Sequence, residues 1–153
     1  MKIEKTPIDG LLIITPTVFG DERGYFFESF RKDTLKEYGV AEDFVQDNQS
    51  LSSKGILRGL HFQKEPHAQG KLVRVLQGSV LDVAVDIRTN SITYGQHFTI
   101  ELNDSNKTMF YIPPGFAHGF LTLEDNTIFV YKCTDYYHKE SEDCVLWNSP
   151  SLG

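Results

Sequence analysis

A chain of 153 residues with 40% hydrophobic and 24% charged residues has the composition of one ordinary globular domain over 1–153, which argues against disorder and leaves enough material for a single core. Its formal charge of -6 argues against nucleic acid as a partner, because no excess of Lys and Arg exists to neutralise a phosphate backbone; two or three arginine forks still suffice for a small phosphorylated ligand. The longest apolar runs, Leu11 to Ile14 and Val83 to Val85, are too short to cross a bilayer, and MKIEKTPIDG has no apolar stretch after its lysines. No membrane association and a cytoplasmic setting are therefore expected, with Cys133 and Cys144 as free thiols.

Taken in chain order, the text reads as short strands. Leu11 to Thr15 is an apolar run closed by Pro16, and Tyr25 to Phe30 follows the turn signal Asp21-Glu22-Arg23-Gly24. Asp33 to Tyr38 fits one or two helical turns, with Asp33 or Thr34 as cap and Gly39 as stop. Lys71 to Gln77 and Val80 to Arg88, separated by Gly78-Ser79, predict a hairpin with a two-residue loop. His97 to Leu102 places Phe98, Ile100 and Leu102 on one face, and Asn103 to Asn106 is a turn. Thr108 to Ile112 stops at Pro113-Pro114-Gly115, and Phe120 to Leu123 and Thr127 to Thr134 flank a turn at Asp125-Asn126. Strands at this spacing predict an all-β sandwich or barrel with one or two short helices.

Polar residues inside such strands are the candidates for chemistry. Arg58 and His61 sit among Ile56, Leu57, Leu60 and Phe62, flanked by glycines; an arginine buried there needs an anion, whereas the histidine also fits an ordinary packed role. Lys71 alternates with Val73 and Val75. Asp82, Ala84 and Asp86 share one face opposite Leu81, Val83, Val85 and Ile87. Either the valines fill the core and the carboxylates face water, or Asp82 points inward and pairs with Lys71, holding an ammonium where negative charge develops. His118 follows the rigid Pro-Pro turn, where it can mark a pocket mouth or be an idle loop residue. Tyr131 shares a face with Phe129 and is either a buried phenol with a partner or an acid. His61, His67, His97, His118 and His138 are scattered, with no His-x-His or Cys-x-x-Cys, so neither a metal nor a phosphate loop or dinucleotide fingerprint is expected.

Several longer words then occur in fixed order: DERGYFFE from Asp21, FVQDN from Phe44, LRGLHFQ from Leu57, QGKLVRV from Gln69, DVAVDIR from Asp82, IPPGFAHGF from Ile112 and YKCTDYY from Tyr131. Over essentially the whole chain this resembles the dTDP-4-dehydrorhamnose 3,5-epimerase family. The resemblance implies a cupin jelly roll that forms a homodimer and needs no cofactor. It also implies a substrate, a dTDP-linked 4-keto-6-deoxyhexose of deoxysugar biosynthesis, inverted at carbons 3 and 5 through an enolate. By the same resemblance His61 is the base, Tyr131 the acid on the opposite face, and Lys71 steadies the enolate oxygen. His118 and Asp82 line the pocket, while Arg23, Glu28, Gln46, Asn48, Arg58 and Tyr137 hold the nucleotide and diphosphate, and Phe26 or Phe27 stacks on the base. In the family the chain continues past the segment here spanning Trp147 to Gly153 to an Asp that orients the catalytic His. Its absence implies truncation, or another carboxylate in its place. The same residues would serve a mono-epimerase, and a histidine without its carboxylate would suit a non-catalytic sugar-nucleotide binding module.

Overall fold

Gly and Asn punctuation every eight to twelve residues leaves the chain little choice but antiparallel sheet, and the computed structural model, described here for residues 1–146, is built that way. The N-terminal part supplies β1 (Lys2–Lys5), β2 (Leu12–Thr15), a small hairpin of β3 (Phe19–Asp21) and β4 (Gly24–Phe26), helix α1 (Lys32–Glu37) and β5 (Gln46–Ser52). Next come β6 (Leu57–Gln63), β7 (Lys71–Gln77), β8 (Ser79–Asp86) and β9 (His97–Asn103). β10 (Met109–Ile112), β11 (Phe116–Thr122) and β12 (Thr127–Cys133) follow, and a 3-10 turn at Lys139–Ser141 leads into β13 (Glu142–Cys144). A six-stranded sheet runs β1-β2-β10-β7-β12-β5 and a five-stranded sheet runs β13-β6-β11-β8-β9. The two pack face to face as a jelly roll. The segment Trp147 to Gly153 lies outside the described residues.

Between the sheets, Val73, Phe110 and Phe129 of one meet Val80, Leu102 and Phe120 of the other, all nearly or fully buried. Each such side chain contributes about 1.5–3 kcal/mol of burial free energy. A second cluster, Leu12, Ile14, Leu72 and Met109, covers the outer face of the six-stranded sheet and receives Leu35 of α1. The third, Leu60, Val85 and Ala117 with Phe62, Val83 and Val145 against it, lies on the outer face of the five-stranded sheet.

Three local expectations are corrected. β7 and β8 are not a hairpin: they belong to different sheets, and Gly78 (φ +88°) is the corner between them. A side chain at Gly78 would meet Thr127, because that corner is packed tightly against β12. Helix α1 is capped two or three residues earlier than Asp33 or Thr34. Its N-cap is Arg31, without a side-chain cap bond, since Asp33 instead accepts from Arg31 Nε (2.7 Å) and from the Thr34 amide (2.7 Å). The aromatic run after Gly24 is strand only to Phe26.

The glycines around Arg58 and His61 have a structural cause. Gly59 has φ +115°, and a Cβ there would lie 2.7 Å from Gly119 Cα and from the His118 carbonyl oxygen. β6 and β11 thus touch backbone to backbone, at the point where their register shifts between His118 and Phe120. That contact sets His61 directly across from His118. Among the described residues no helix is long and apolar enough to cross a membrane.

Candidate active site

Phe120 and Phe129, with ring centroids 4.1 Å apart, close the apolar interior, and His118 stacks on Phe129 at 6.1 Å as the first polar residue beyond them. From there a cavity of about 330 Å³ opens between the sheets. The five-stranded sheet lines it with Arg58, His61, Gln63, His118 and Glu142, and the six-stranded sheet with Gln46, Asn48, Lys71 and Tyr131. Gln69 and Tyr137 come from the connecting segments. Strand alternation explains the set: Lys71 shares its inward face with Val73 and Val75, and Tyr131 with Phe129 and Cys133.

His61 is half exposed, and its Nδ1 lies 3.6 Å from Glu142 Oε1, within ion-pair range but longer than a hydrogen bond. Desolvation holds its pKa below the ordinary value; Glu142 opposes this, and Lys71 and His118 reinforce it. Near neutral pH the imidazole is therefore a base ready to take a proton. Glu142 Oε2 accepts a 2.5 Å hydrogen bond from the Tyr137 hydroxyl, and Gln46 Oε1 accepts from the Tyr137 amide (3.0 Å). β13 carries Glu142 into place by pairing with β6.

Lys71 is buried, with Nζ 5.6 Å from the Tyr131 ring centroid. Burial pushes its pKa down, with Cys133, Asp82 and Glu142 opposing. The expected Lys71–Asp82 pair does not form. Asp82 is fully buried but both its oxygens face His118 Nε2, at 3.0 and 2.8 Å, behind the cavity wall. Burial raises the Asp82 pKa and the His118 contact lowers it. His118 itself is not at a loop mouth; it is a buried residue of β11. The outward-facing alternative for Asp82 fails because both faces of β8 are covered: Val80, Asp82 and Ala84 turn inward, and Val83 and Val85 pack on the outer cluster.

Burial also raises the Tyr131 pKa, partly offset by the Asn48 amide, so the phenol keeps its proton at neutral pH. Burial pushes the Cys133 thiol up to about 11, leaving it unreactive; both cysteines are free. Arg58 is exposed rather than buried. Its Nε donates to Ser52 Oγ (3.0 Å), and among the described residues no carboxylate pairs with its fork on the cavity rim.

Arg23, Glu28, Phe26 and Phe27 are not brought to this cavity. Arg23 lies on the β3–β4 hairpin and pairs with Asp21 at 2.7 Å, and Glu28 lies 3.6 Å from Arg31. Phe26 is 66% exposed, and Phe27 stacks on Tyr25 at 5.9 Å. Sequence reasoning gave no role to Glu142, Gln63 and Gln69. The glutamines stand inside LHFQ and QGKLV, but Glu142 sits in the charge-rich KESED, which reads as a solvated turn.

Fold and cavity together define a cupin-type jelly roll with an acid–base pocket between its sheets. The family model described as dTDP-4-dehydrorhamnose 3,5-epimerase matches residues 5–153. The epimerase of that name from Methanothermobacter thermautotrophicus is 53% identical over 149 residues, which is 97% of this chain and 80% of the relative. Its Salmonella typhimurium counterpart is 53% identical over 154 residues, 100% and 84% of the two chains. A crystal structure of the Legionella pneumophila 3,5-epimerase in complex with dTDP-4-keto-L-rhamnose superposes with a TM-score of 0.95 at 53% identity, covering 99% of this chain and 80% of that one. The chain belongs to the dTDP-4-dehydrorhamnose 3,5-epimerase family.

Proposed function

We propose that the chain inverts carbons 3 and 5 of a dTDP-4-keto-6-deoxyhexose, in the cytoplasm, as a step of deoxysugar biosynthesis. The observation that carries this reading is the origin of the two proton-transfer groups: His61 enters the cavity from one sheet and Tyr131 from the other. Inversion needs removal of a proton from one face of the ring and delivery to the opposite face. A neutral imidazole and a protonated phenol suit those tasks at neutral pH.

In this reading His61 takes the proton beside the ketone and the charge moves to the carbon-4 oxygen as an enolate. Lys71, desolvated and without an ion-pair partner among the described residues, gains most from an anion at that place, so enolate formation and lysine protonation support each other. Tyr131 then protonates the carbon from the far side. Glu142 faces Nδ1 of His61, turning Nε2 to the substrate and balancing the imidazolium that forms. Asp82 does the same for His118, fixing that ring against the cavity floor. Arg58, Gln46, Asn48 and Tyr137 on the rim hold the diphosphate and nucleotide.

Arg23 and Glu28 take part only if the β3–β4 hairpin serves a second copy of the chain. Phe19, Tyr25 and Phe26 on that hairpin are all more than 60% exposed, which favours a homodimer in which each hairpin reaches its partner's pocket.

The test is incubation with dTDP-4-keto-6-deoxyglucose in deuterated water, followed at carbons 3 and 5 by NMR. Deuterium at both positions with formation of the L-sugar is expected. Exchange at one carbon alone would make it a mono-epimerase, and nucleotide binding without exchange would leave a binding module.

A further inference from the structure

The histidines that are scattered in sequence do meet in one place outside the pocket. His67, Asp135 and His138 bring one ligand atom each within 4.8 Å of one another, and the two imidazole rings stack with centroids 3.4 Å apart and planes at 18°. His67 Nδ1 is already 3.3 Å from Asp135 Oδ2. We propose that these three residues form a binding site for a divalent transition metal of the zinc type, beside the sugar-nucleotide pocket.

The donor set is two imidazole nitrogens and a carboxylate oxygen, which suits Zn²⁺. Tetrahedral bonds of about 2.0–2.1 Å place neighbouring ligand atoms roughly 3.3 Å apart, so the cluster closes on an ion once the two rings turn from their stacked arrangement until their in-plane lone pairs converge. Each side chain is about 30% exposed, leaving an open side for water to complete the coordination. Glu140 Oε1 lies 3.6 Å from His138 Nδ1, positioned to hold that nitrogen and present Nε2 to the ion.

The backbone beneath the cluster is fixed by side-chain amides. Gln63 donates to the carbonyls of His67 (2.6 Å) and Tyr136 (3.1 Å) and accepts from the His138 amide (2.8 Å). Gln69 donates to the Asp135 carbonyl (2.8 Å), so all three candidate ligands are anchored. Thr134 and Gly70 bind each other across the same two segments, at 2.7 and 3.0 Å. Gln63, Gln69 and Tyr137 also line the pocket, so an ion here stiffens the wall that holds the substrate without entering the chemistry.

The test is calorimetric titration of the chelator-stripped protein with Zn²⁺ alone, on wild type, His67→Gln, His138→Gln and His61→Asn, with thermal melts to show that each variant is folded. One equivalent should bind, and either cluster substitution should weaken binding by at least about ten-fold, the loss that even an outer-shell partner produces. His61→Asn should bind as wild type does. Absence of saturable binding, unchanged affinity in both cluster variants, or loss of binding in His61→Asn would each overturn the proposal.

Discussion

Glu142→Gln separates an orienting carboxylate from a bystander. At 3.6 Å a unit charge pair is worth about 1 kcal/mol in bulk water and about 5 kcal/mol at an effective dielectric of 20. The side chains of His61 and Glu142 are 51% and 36% exposed, so solvent screening brings the contribution toward the lower end, about 1–2 kcal/mol. That is a loss of roughly five- to thirty-fold in rate for the step in which His61 becomes cationic. The pH profile carries an independent sign. Glu142 raises the His61 pKa against desolvation, so removing its charge lets that pKa fall further. The acid limb of kcat/KM, which in wild type lies below the ordinary histidine value of about 6.5, then moves to lower pH even as the plateau drops. Initial rates of deuterium incorporation at carbons 3 and 5 between pH 5 and pH 9, over a range of substrate concentrations, measure both. A variant with wild-type plateau and an unmoved acid limb would refute the orienting role, and a limb displaced upward would refute the electrostatics.

Subunit mixing checks the reach of the β3–β4 hairpin: Arg23→Ala and His61→Asn should each be impaired alone, and an equimolar mixture should recover activity, because one pocket of the mixed dimer is intact. No recovery after subunit exchange would place Arg23 outside the partner's site. Gly59→Ala forces a Cβ to within 2.7 Å of the Gly119 backbone and puts an L-residue at φ +115°, a strain of about 1–3 kcal/mol before the overlap is counted, so a clear fall in melting temperature is expected. An unchanged melt would mean that β6 and β11 do not touch there. Desolvation would raise the Asp86 carboxyl, but Arg88, Ser91 and Thr93 overcome it and hold the group well below the usual carboxylate range. Its stabilising contribution is therefore complete above about pH 4 and declines as pH falls below that. Asp86→Asn should cost about 1.5–3 kcal/mol at pH 7 and flatten the acid side of the stability curve, as urea melts will show.

Turn chemistry and alternation made the strands legible, and with them the inward faces of β7 and β12 that carry Lys71 and Tyr131. What local pattern does not carry is which sheet a strand joins. Gly78-Ser79 states only that the chain bends, and packing of the corner on Thr127 decides that it bends into the other sheet. Alternation along β8 likewise gives two faces without saying which is inner, since both are covered by apolar neighbours and Asp82 is tolerated inside by its contact with His118. Arg58, embedded in apolar text, would have needed an anion inside the protein if buried; it stands instead with Leu57 on the exposed first two residues of β6, at the rim. Glu142 was illegible for the opposite reason: its strand is three residues long and exists only by pairing with β6. The ring-to-ring meeting of His67 and His138 joins segments some seventy residues apart, a distance over which spacing rules are silent.

The central claim is that His61 and Tyr131 act on opposite faces of one sugar carbon. Tyr131→Phe in deuterated water tests it most directly, with substrate exchange and product stereochemistry read by NMR from the same sample. Deuterium is expected at the carbon beside the ketone with the configuration retained, because His61 still removes the proton and solvent deuterium returns through the same ring. Inversion at the wild-type rate in Tyr131→Phe would contradict it.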